Sequence, residues 1–230
     1  MVDWVEENYE DSKETCSVLD LGCGNGHLLL DLAELGFEDL TGIDYSPAAI
    51  RLAQAVAEGR EVDNVIRYVA VDFLADVETE ESQEWRQSSS EESTTELKKF
   101  KVMLDKGTYD AISLHQKKKK DAALAASANS EASDKTSAEE DSQVVLAEND
   151  QDMEELAERY PKKVANLMQD DGRLLITSCN WTQDELIQRF SQVFEYESHI
   201  KYPTFRFGGV VGQTISSVIF KKKNTSASSV

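Results

Sequence analysis

The heptapeptide Asp20-Leu21-Gly22-Cys23-Gly24-Asn25-Gly26 constrains this chain more than any other feature. It ends the buried-type run Val18-Leu19-Asp20-Leu21 and precedes a helical pattern from His27 to Leu35, which Gly36 stops at a left-handed cap position. Glycines at alternate positions let a backbone turn tightly and approach a ligand closely. The helix that follows offers free N–H groups and partial positive charge at its start. A lone glycine-rich loop is often only a turn, so its context decides.

The rest of the chain repeats the strand-then-helix rhythm of a parallel sheet covered by helices. Leu40-Thr41-Gly42-Ile43-Asp44 reads as a second strand. Ser46 and Pro47 supply a cap and a first-turn proline for a helix whose apolar residues are Ile50, Leu52, Ala53 and Val56. Ile66 to Val71 is a third strand and Phe100 to Leu104 a fourth. Tyr160 to Gln169 reads as a helix that Pro161 starts or kinks and Asp171-Gly172 ends. Arg173 to Thr177 is a fifth strand, and Thr182-Gln183-Asp184-Glu185 is a capping box. Val193 to Ile200 and Gln213 to Phe220 complete the set, joined by a loop around Gly208 and Gly209. Together these make a seven-stranded α/β sheet ending in a strand pair, with helices on both faces.

Charge enters through its distribution. The 230 residues carry 44 acids and 24 bases, a formal charge of −20. Asp76 to Glu96 contributes −7 and Asp121 to Glu158 contributes −11, which leaves the body at −2. One domain, residues 1–220, therefore carries two acidic insertions, near 77–96 and 117–150, that bury too little apolar surface to order themselves. They fall before and after the fourth strand, and the reading is solvated loop. Lys117 to Lys120 reads as a solvated charge run, and residues 221–230 as a loose tail. The absence of a basic stripe argues against duplex nucleic acid as a partner. No apolar run is long enough to span a membrane, and the acidic start Met1-Val2-Asp3-Trp4 is no signal peptide. Cys16, Cys23 and Cys179 are too few and too scattered for a disulfide framework or a zinc site, and no metal site is expected. A reducing, intracellular compartment fits them.

Two more carboxylates give the glycine loop its context. Asp44 ends the second strand, 18 residues past Gly26, where it can accept hydrogen bonds from both ribose hydroxyls. Asp72 ends the third strand and is followed by Phe73, a carboxylate and a ring suited to the edge and face of adenine. Each acid alone suits a helix cap, but three at successive strand ends describe a nucleoside pocket. A dinucleotide loop needs glycine where His27 stands, and a Walker loop needs a Lys-Ser/Thr pair that is absent.

The D-x-G-x-G-x-G form resembles the first motif of the class I S-adenosylmethionine-dependent methyltransferases, and the resemblance covers nearly the whole chain outside the acidic stretches. It implies the Rossmann-like seven-stranded sheet, mostly parallel with an antiparallel terminal strand. It also implies S-adenosylmethionine as cofactor. On that reading Asp20, Gly22, Cys23, Gly24, Asn25 and Gly26 hold the methionine end, Asp44 and Tyr45 the ribose, and Asp72 with Phe73 the adenine. Leu104-Asp105-Lys106-Gly107-Thr108-Tyr109-Asp110-Ala111 lacks the Asn/Asp-Pro-Pro-Tyr/Phe motif of DNA and glutamine methyltransferases. It is similar instead to a branch of protein-lysine methyltransferases. Gly42-Ile43-Asp44-Tyr45-Ser46-Pro47, Leu175-Ile176-Thr177-Ser178-Cys179-Asn180-Trp181-Thr182 and Phe205-Arg206-Phe207-Gly208-Gly209 narrow the resemblance to the branch that methylates a lysine of translation elongation factor 1-alpha. Members of that branch carry a G-E-x-W-F-G stretch ahead of the first strand. This chain begins inside the helix that follows it, which implies a missing covering segment.

The implied reaction is in-line transfer of a sulfonium methyl to a lysine amine in a cytoplasmic, monomeric enzyme. Asp105 is the candidate catalytic acceptor near that amine, with a turn cap over Lys106-Gly107 as its competing role. Lys106, Gly107, Thr108, Asn180 and Trp181 are the candidate substrate-binding residues, Trp181 walling the lysine channel or packing as a staple over the capping box. Phe205 and Phe207 read as core or rim packing, and His27 and His115 as bystanders. A small-molecule methyltransferase and a non-catalytic scaffold that keeps the fold are the competing functions.

Overall fold

A computed structural model describes residues 1–75, 84–86, 97–113, 155–203, 205–207, 210–212 and 215–223. The helices are α1 (Val2–Tyr9), α2 (His27–Glu34), α3 (Pro47–Gly59), α4 (described over 108–113), α5 (described over 155–167) and α6 (Gln183–Phe190). The strands are β1 (Val18–Leu21), β2 (Leu40–Asp44), β3 (Ile66–Ala70), β4 (Phe100–Lys106), β5 (Met168–Ser178), β6 (Phe194–Ile200), β7 (Phe205–Phe207), β8 (Val210–Gly212) and β9 (Ser216–Lys222). Seven of them form one sheet in the order β3-β2-β1-β4-β5-β9-β6. The pairings from β3 to β5 are parallel, and β9 runs antiparallel between β5 and β6. This is the mostly parallel sheet with an antiparallel terminal strand that the sequence predicts. Among the described residues no helix is long and apolar enough to cross a membrane.

Side chains alternate across a strand, so each central strand feeds two cores. Val18, Val102, Leu104 and Leu175 face one layer with Val5 of α1, Leu29 and Leu32 of α2, and Ile50 and Ala53 of α3. Leu19, Leu21, Met103 and Ile176 face the other, with Tyr160 and Val164 of α5 and Leu186 and Phe190 of α6. Because β1 and β4 pair Asp20 with Leu104 and Leu21 with Asp105, the two aspartates project from opposite faces. That partition decides their chemistry.

Several local readings need correction. Leu52 is exposed, and α3 buries Ile50, Ala53 and Ala57 instead, a narrower stripe than the predicted one. Pro161 lies inside the described part of α5 rather than in its first turn. β5 starts at Met168, opposite Phe100, and then advances five residues while β4 advances two, so Asp171 and Gly172 sit in a bulge within the strand rather than ending a helix. β9 runs to Lys222, which places Lys221 and Lys222 in the sheet and not in a loose tail. The connection between β6 and β9 carries the antiparallel pair β7–β8, a ribbon the sequence reading treated as loop. The packing expected of Phe205 and Phe207, and His115 and Lys117 to Lys120, lie outside the described side chains and residues.

The acidic stretches also fall outside the described residues, apart from residues 155–158, which lie in α5, and residues 84–86. Glu84–Arg86 form a short 3-10 turn in which Trp85 is buried. Its ring stacks on Phe100 with centroids 6.0 Å apart, at the amino-terminal edge of the sheet. Arg86 joins it through a backbone bond from Lys98 N to Arg86 O (2.8 Å). The first acidic stretch thus contains an apolar anchor, contrary to its reading as wholly solvated. Trp85→Ala should destabilise the protein by about 3 kcal/mol in a denaturant titration. A change below about 0.5 kcal/mol, the level of a surface substitution, would mean that the anchor does not hold.

Candidate active site

Parallel strands deliver their carboxyl ends to one edge, and there the predicted residues converge. The glycine loop is tied to β2 by Cys23 N donating to Ile43 O (2.9 Å), and closed on itself by Gly26 N donating to Cys23 O (2.8 Å). Gly22 and Gly26 have φ of +67° and +77°. A side chain at Gly22 would start 2.2 Å from Thr108 Oγ1, and one at Gly26 would start 2.2 Å from the Tyr68 hydroxyl. Both neighbours bond the loop: Thr108 Oγ1 donates to Leu21 O (2.6 Å) and the Tyr68 hydroxyl to Gly26 O (3.1 Å). The glycines therefore make room for the two groups that brace their own loop.

Asp44 accepts from Gly24 N (3.0 Å) on one oxygen and from Ser46 N (2.8 Å) on the other. A carboxylate has about four acceptor positions, so it keeps capacity for two hydroxyl donors. Asp72 accepts from Leu74 N (3.0 Å), and Phe73 meets Tyr160 edge-on at 5.7 Å. Asp44, Asp72 and Phe73 border a cavity of about 470 Å³, together with Gly22, Tyr45, Lys106, Gly107 and Thr108, over apolar Leu74 and Ile112. Asn25 is exposed on the loop beside it. A volume of this size suits a nucleoside with a side arm.

Asp20 stands apart from the other acids. It is 3% exposed, yet no donor reaches its side chain among the described residues. Burial above all, then the Asp105 charge, pushes its carboxyl up to about 7, while Lys106 pulls it down and Asp44 adds a smaller upward push. Every fully buried polar side-chain atom among the described residues has a hydrogen-bond partner, so the little of Asp20 that is exposed includes its carboxylate, and a cationic ligand could reach it there. This donor set fits the ammonium of an amino-acid end, with the braced loop and Asp44 beyond it for a ribose.

Asp105 has a different environment. It is fully buried on the opposite face, accepting from Thr108 N (2.8 Å), Tyr109 N (3.0 Å) and the Tyr160 hydroxyl (2.5 Å). Its carboxyl is raised to about 6, burial outweighing the three donors. It caps the start of α4 and does not border the cavity, so the expected direct contact with a substrate amine gives way to the turn-cap role. Strand alternation is the reason: Lys106, not Asp105, shares the Asp20 face.

Trp181 is likewise buried rather than lining the cavity. Its Nε1 donates to Ser113 Oγ (2.7 Å), and the Arg189 guanidinium lies 3.8 Å over its ring. Asn180 is half-buried, with its N–H donating to Ser178 Oγ (3.0 Å). Sequence reasoning missed the group that fixes this loop. Asp110, itself buried, accepts from Ser178 Oγ (2.5 Å) and Cys179 N (2.8 Å), which bolts α4 to the end of β5. Both residues lie inside the quoted strings, but only the fold shows that they meet. Tyr68 and Tyr160 carried no sequence signal beyond an apolar pattern.

Comparison with known proteins places the chain as a whole. A family model described as a methyltransferase domain matches residues 12–224. The chain is 32% identical over 222 residues to EEF1A lysine methyltransferase 2 of Danio rerio, covering 96% of this chain and 72% of that protein. It is 35% identical to protein-lysine N-methyltransferase EFM4 of Saccharomyces cerevisiae, covering 97% and 79%. With the Homo sapiens EEF1A lysine methyltransferase 2 the identity is 34%, over 90% of this chain and 65% of that protein. The chain thus spans about two thirds to four fifths of these relatives' lengths. Among solved structures, magnesium protoporphyrin IX methyltransferase from Synechocystis PCC 6803 with bound SAM superimposes with a TM-score of 0.54 at 13% identity, over 96% of this chain and 76% of that one. The N-methyltransferase NodS from Bradyrhizobium japonicum, in complex with S-adenosyl-L-homocysteine, gives 0.54 at 12%, over 97% and 86%. Those likenesses establish the fold, and with the match over residues 12–224 and the curated relatives, the chain belongs to the methyltransferase family.

Proposed function

We propose that the chain is an S-adenosylmethionine-dependent protein-lysine N-methyltransferase acting on a lysine of translation elongation factor 1-alpha. The observation that carries the cofactor is Asp20, buried and without a donor beneath a glycine loop whose neighbouring strand ends present Asp44 and Asp72. The substrate rests on the names of the relatives from Danio rerio, Homo sapiens and Saccharomyces cerevisiae.

When bound, the cofactor supplies an electrophilic methyl group on a cationic sulfur. Asp20 holds the ammonium, the loop from Gly22 to Gly26 with Cys23 and Asn25 cradles the methionine end, Asp44 and Tyr45 take the ribose, and Asp72 with Phe73 takes the adenine. The acceptor must arrive as a neutral amine. An ordinary lysine is neutral about one time in a thousand near pH 7, a deficit of about 4 kcal/mol. Desolvation and a neighbouring positive charge lower that cost, and orientation supplies ~7–11 kcal/mol of the barrier, so no strong base is required. Asp105 serves as a positioning residue: it fixes the first turn of α4, and with it Gly107 and Thr108. Asp110 and Trp181 hold Asn180 at the same edge. The released proton goes to water. Three free cysteines and the named substrate of the relatives support a cytoplasmic enzyme, and we assign it as a monomer.

Mass spectrometry of elongation factor 1-alpha from cells with and without the protein should show one lysine losing its methyl groups. An unchanged methylation pattern would remove the substrate, and label transfer into a small-molecule fraction alone would favour the competing acceptor class.

The raised Asp20 carboxyl sets the pH dependence. Below about 7 the group is increasingly protonated and cannot pair with an ammonium, so cofactor affinity should rise from pH 5 to 8 and then level off. Asp20→Asn should flatten this profile and weaken binding by roughly tenfold or more at pH 8, as the loss of a charge-assisted bond requires. Calorimetry across pH checks both.

Asp105→Asn should lower stability by about 1–3 kcal/mol, because an amide turns a donor toward groups that already donate. Cofactor affinity should stay within about twofold, and turnover should fall through loss of loop order. A turnover number unchanged within error would exclude even the positioning role.

A further inference from the structure

Asp20 is one half of an unfinished pair. Across the β1–β4 register Asp20 faces with Leu104, and two residues further along β4 the same face presents Lys106. Lys106 ends β4 opposite Thr177, is exposed, and borders the 470 Å³ cavity beside Gly22. Neither its ammonium nor the Asp20 carboxylate has a hydrogen-bond or ion-pair partner among the described residues, although the two are close enough for each to feel the other's charge. Opposite charges on adjacent strand ends ordinarily close into an ion pair. Here no ion pair forms between them: Lys106 borders the cavity, and Asp20 lies on the same face of the sheet, two residues before Gly22, which also borders it.

Two separated, unpaired, opposite charges are a receptor for a zwitterion. Extending the cofactor reading above, on which it rests, we propose that Lys106 binds the α-carboxylate of the cofactor's amino-acid end while Asp20 binds its ammonium. This moves Lys106 from the protein-substrate side, where the sequence placed it, to the cofactor side. A lysine suits the task because a flexible stem lets a point charge follow the carboxylate into and out of the site. The arrangement would select an intact α-amino acid over ligands with an amine alone, since a lone amine leaves the Lys106 charge unmatched.

The test uses the full chain, calorimetry at pH 8 and three probes: S-adenosyl-L-homocysteine, decarboxylated S-adenosylmethionine (amine but no carboxylate) and 5′-deoxy-5′-methylthioadenosine (neither). Lys106→Gln should weaken S-adenosyl-L-homocysteine by about tenfold, the scale of one partly solvated charge-assisted bond, and leave the other two within about twofold. Asp20→Asn should weaken both amine-bearing probes and spare methylthioadenosine. Lys106 is exposed, so its replacement leaves the fold intact, and a circular dichroism melt confirms that. Equal weakening of all three probes by Lys106→Gln overturns the proposal, as does no weakening at all. An unchanged affinity for all probes with a raised KM for the protein acceptor returns Lys106 to the substrate side and also overturns it. If the unmodified chain binds none of the probes, the cofactor reading itself fails, an outcome distinct from the others.

Discussion

A carboxylate removed from water must find compensation, and the centre of this sheet holds two that find it differently. Asp105 is satisfied from within by two backbone N–H groups and the Tyr160 hydroxyl. Asp20, one strand over and on the other face, has no such donor among the described residues and keeps only a narrow contact with solvent. The first arrangement makes a rigid joint, and the second makes a vacancy for positive charge. Ion pairs buried in low dielectric stabilise only when their geometry is complete, so an incomplete one is a standing demand on a ligand.

The joint matters because it is shared. Thr108, whose N–H Asp105 fixes, also fills the space that a side chain on Gly22 would take. Two residues later Asp110 grips Ser178 and Cys179, and Ser113 receives the Trp181 indole. The glycine loop, the end of β4 and the end of β5 are therefore one hydrogen-bonded body. A reaction that depends on aligning an amine with a methyl group gains from such stiffness, because misplacement of a fraction of an ångström already costs rate.

Much of this was legible beforehand. The glycine loop, the strand-end acids and the closing strand pair follow from local pattern, because strand, turn and cap chemistry are properties of a few adjacent residues, while the antiparallel direction of that pair came from the family resemblance. The failures were all tertiary. Asp105 and Asp20 look alike in sequence, and only the register of β1 against β4 sets them on opposite faces. Leu52 fits a helical stripe, but α3 packs through alanines that let it approach the sheet closely, which leaves Leu52 outside. For Trp181 the sequence left two roles open, walling a channel or packing over the capping box, and only contacts with Ser113 and Arg189, distant in sequence, set it as a packed residue. Trp85 was hidden by its neighbours, since composition averages over a window and one aromatic residue among acids barely registers.

That tryptophan alters what the two acidic stretches are. β3 and β4 point the same way in the sheet, so the chain between them must travel back from the carboxyl edge to the amino edge. Trp85 lies on that return path, docked where β4 begins. The first stretch is thus an obligatory crossover with a minimum length, and shortening it would strain the β3–β4 connection. The second begins after Ile112 and is rejoined by Leu156, two residues that border the same cavity wall. Both flanks therefore lie at one cavity, so the topology asks far less length of the chain between them. The part of that second stretch ahead of α5 can therefore be lengthened or recharged with less strain on the sheet than the first stretch allows.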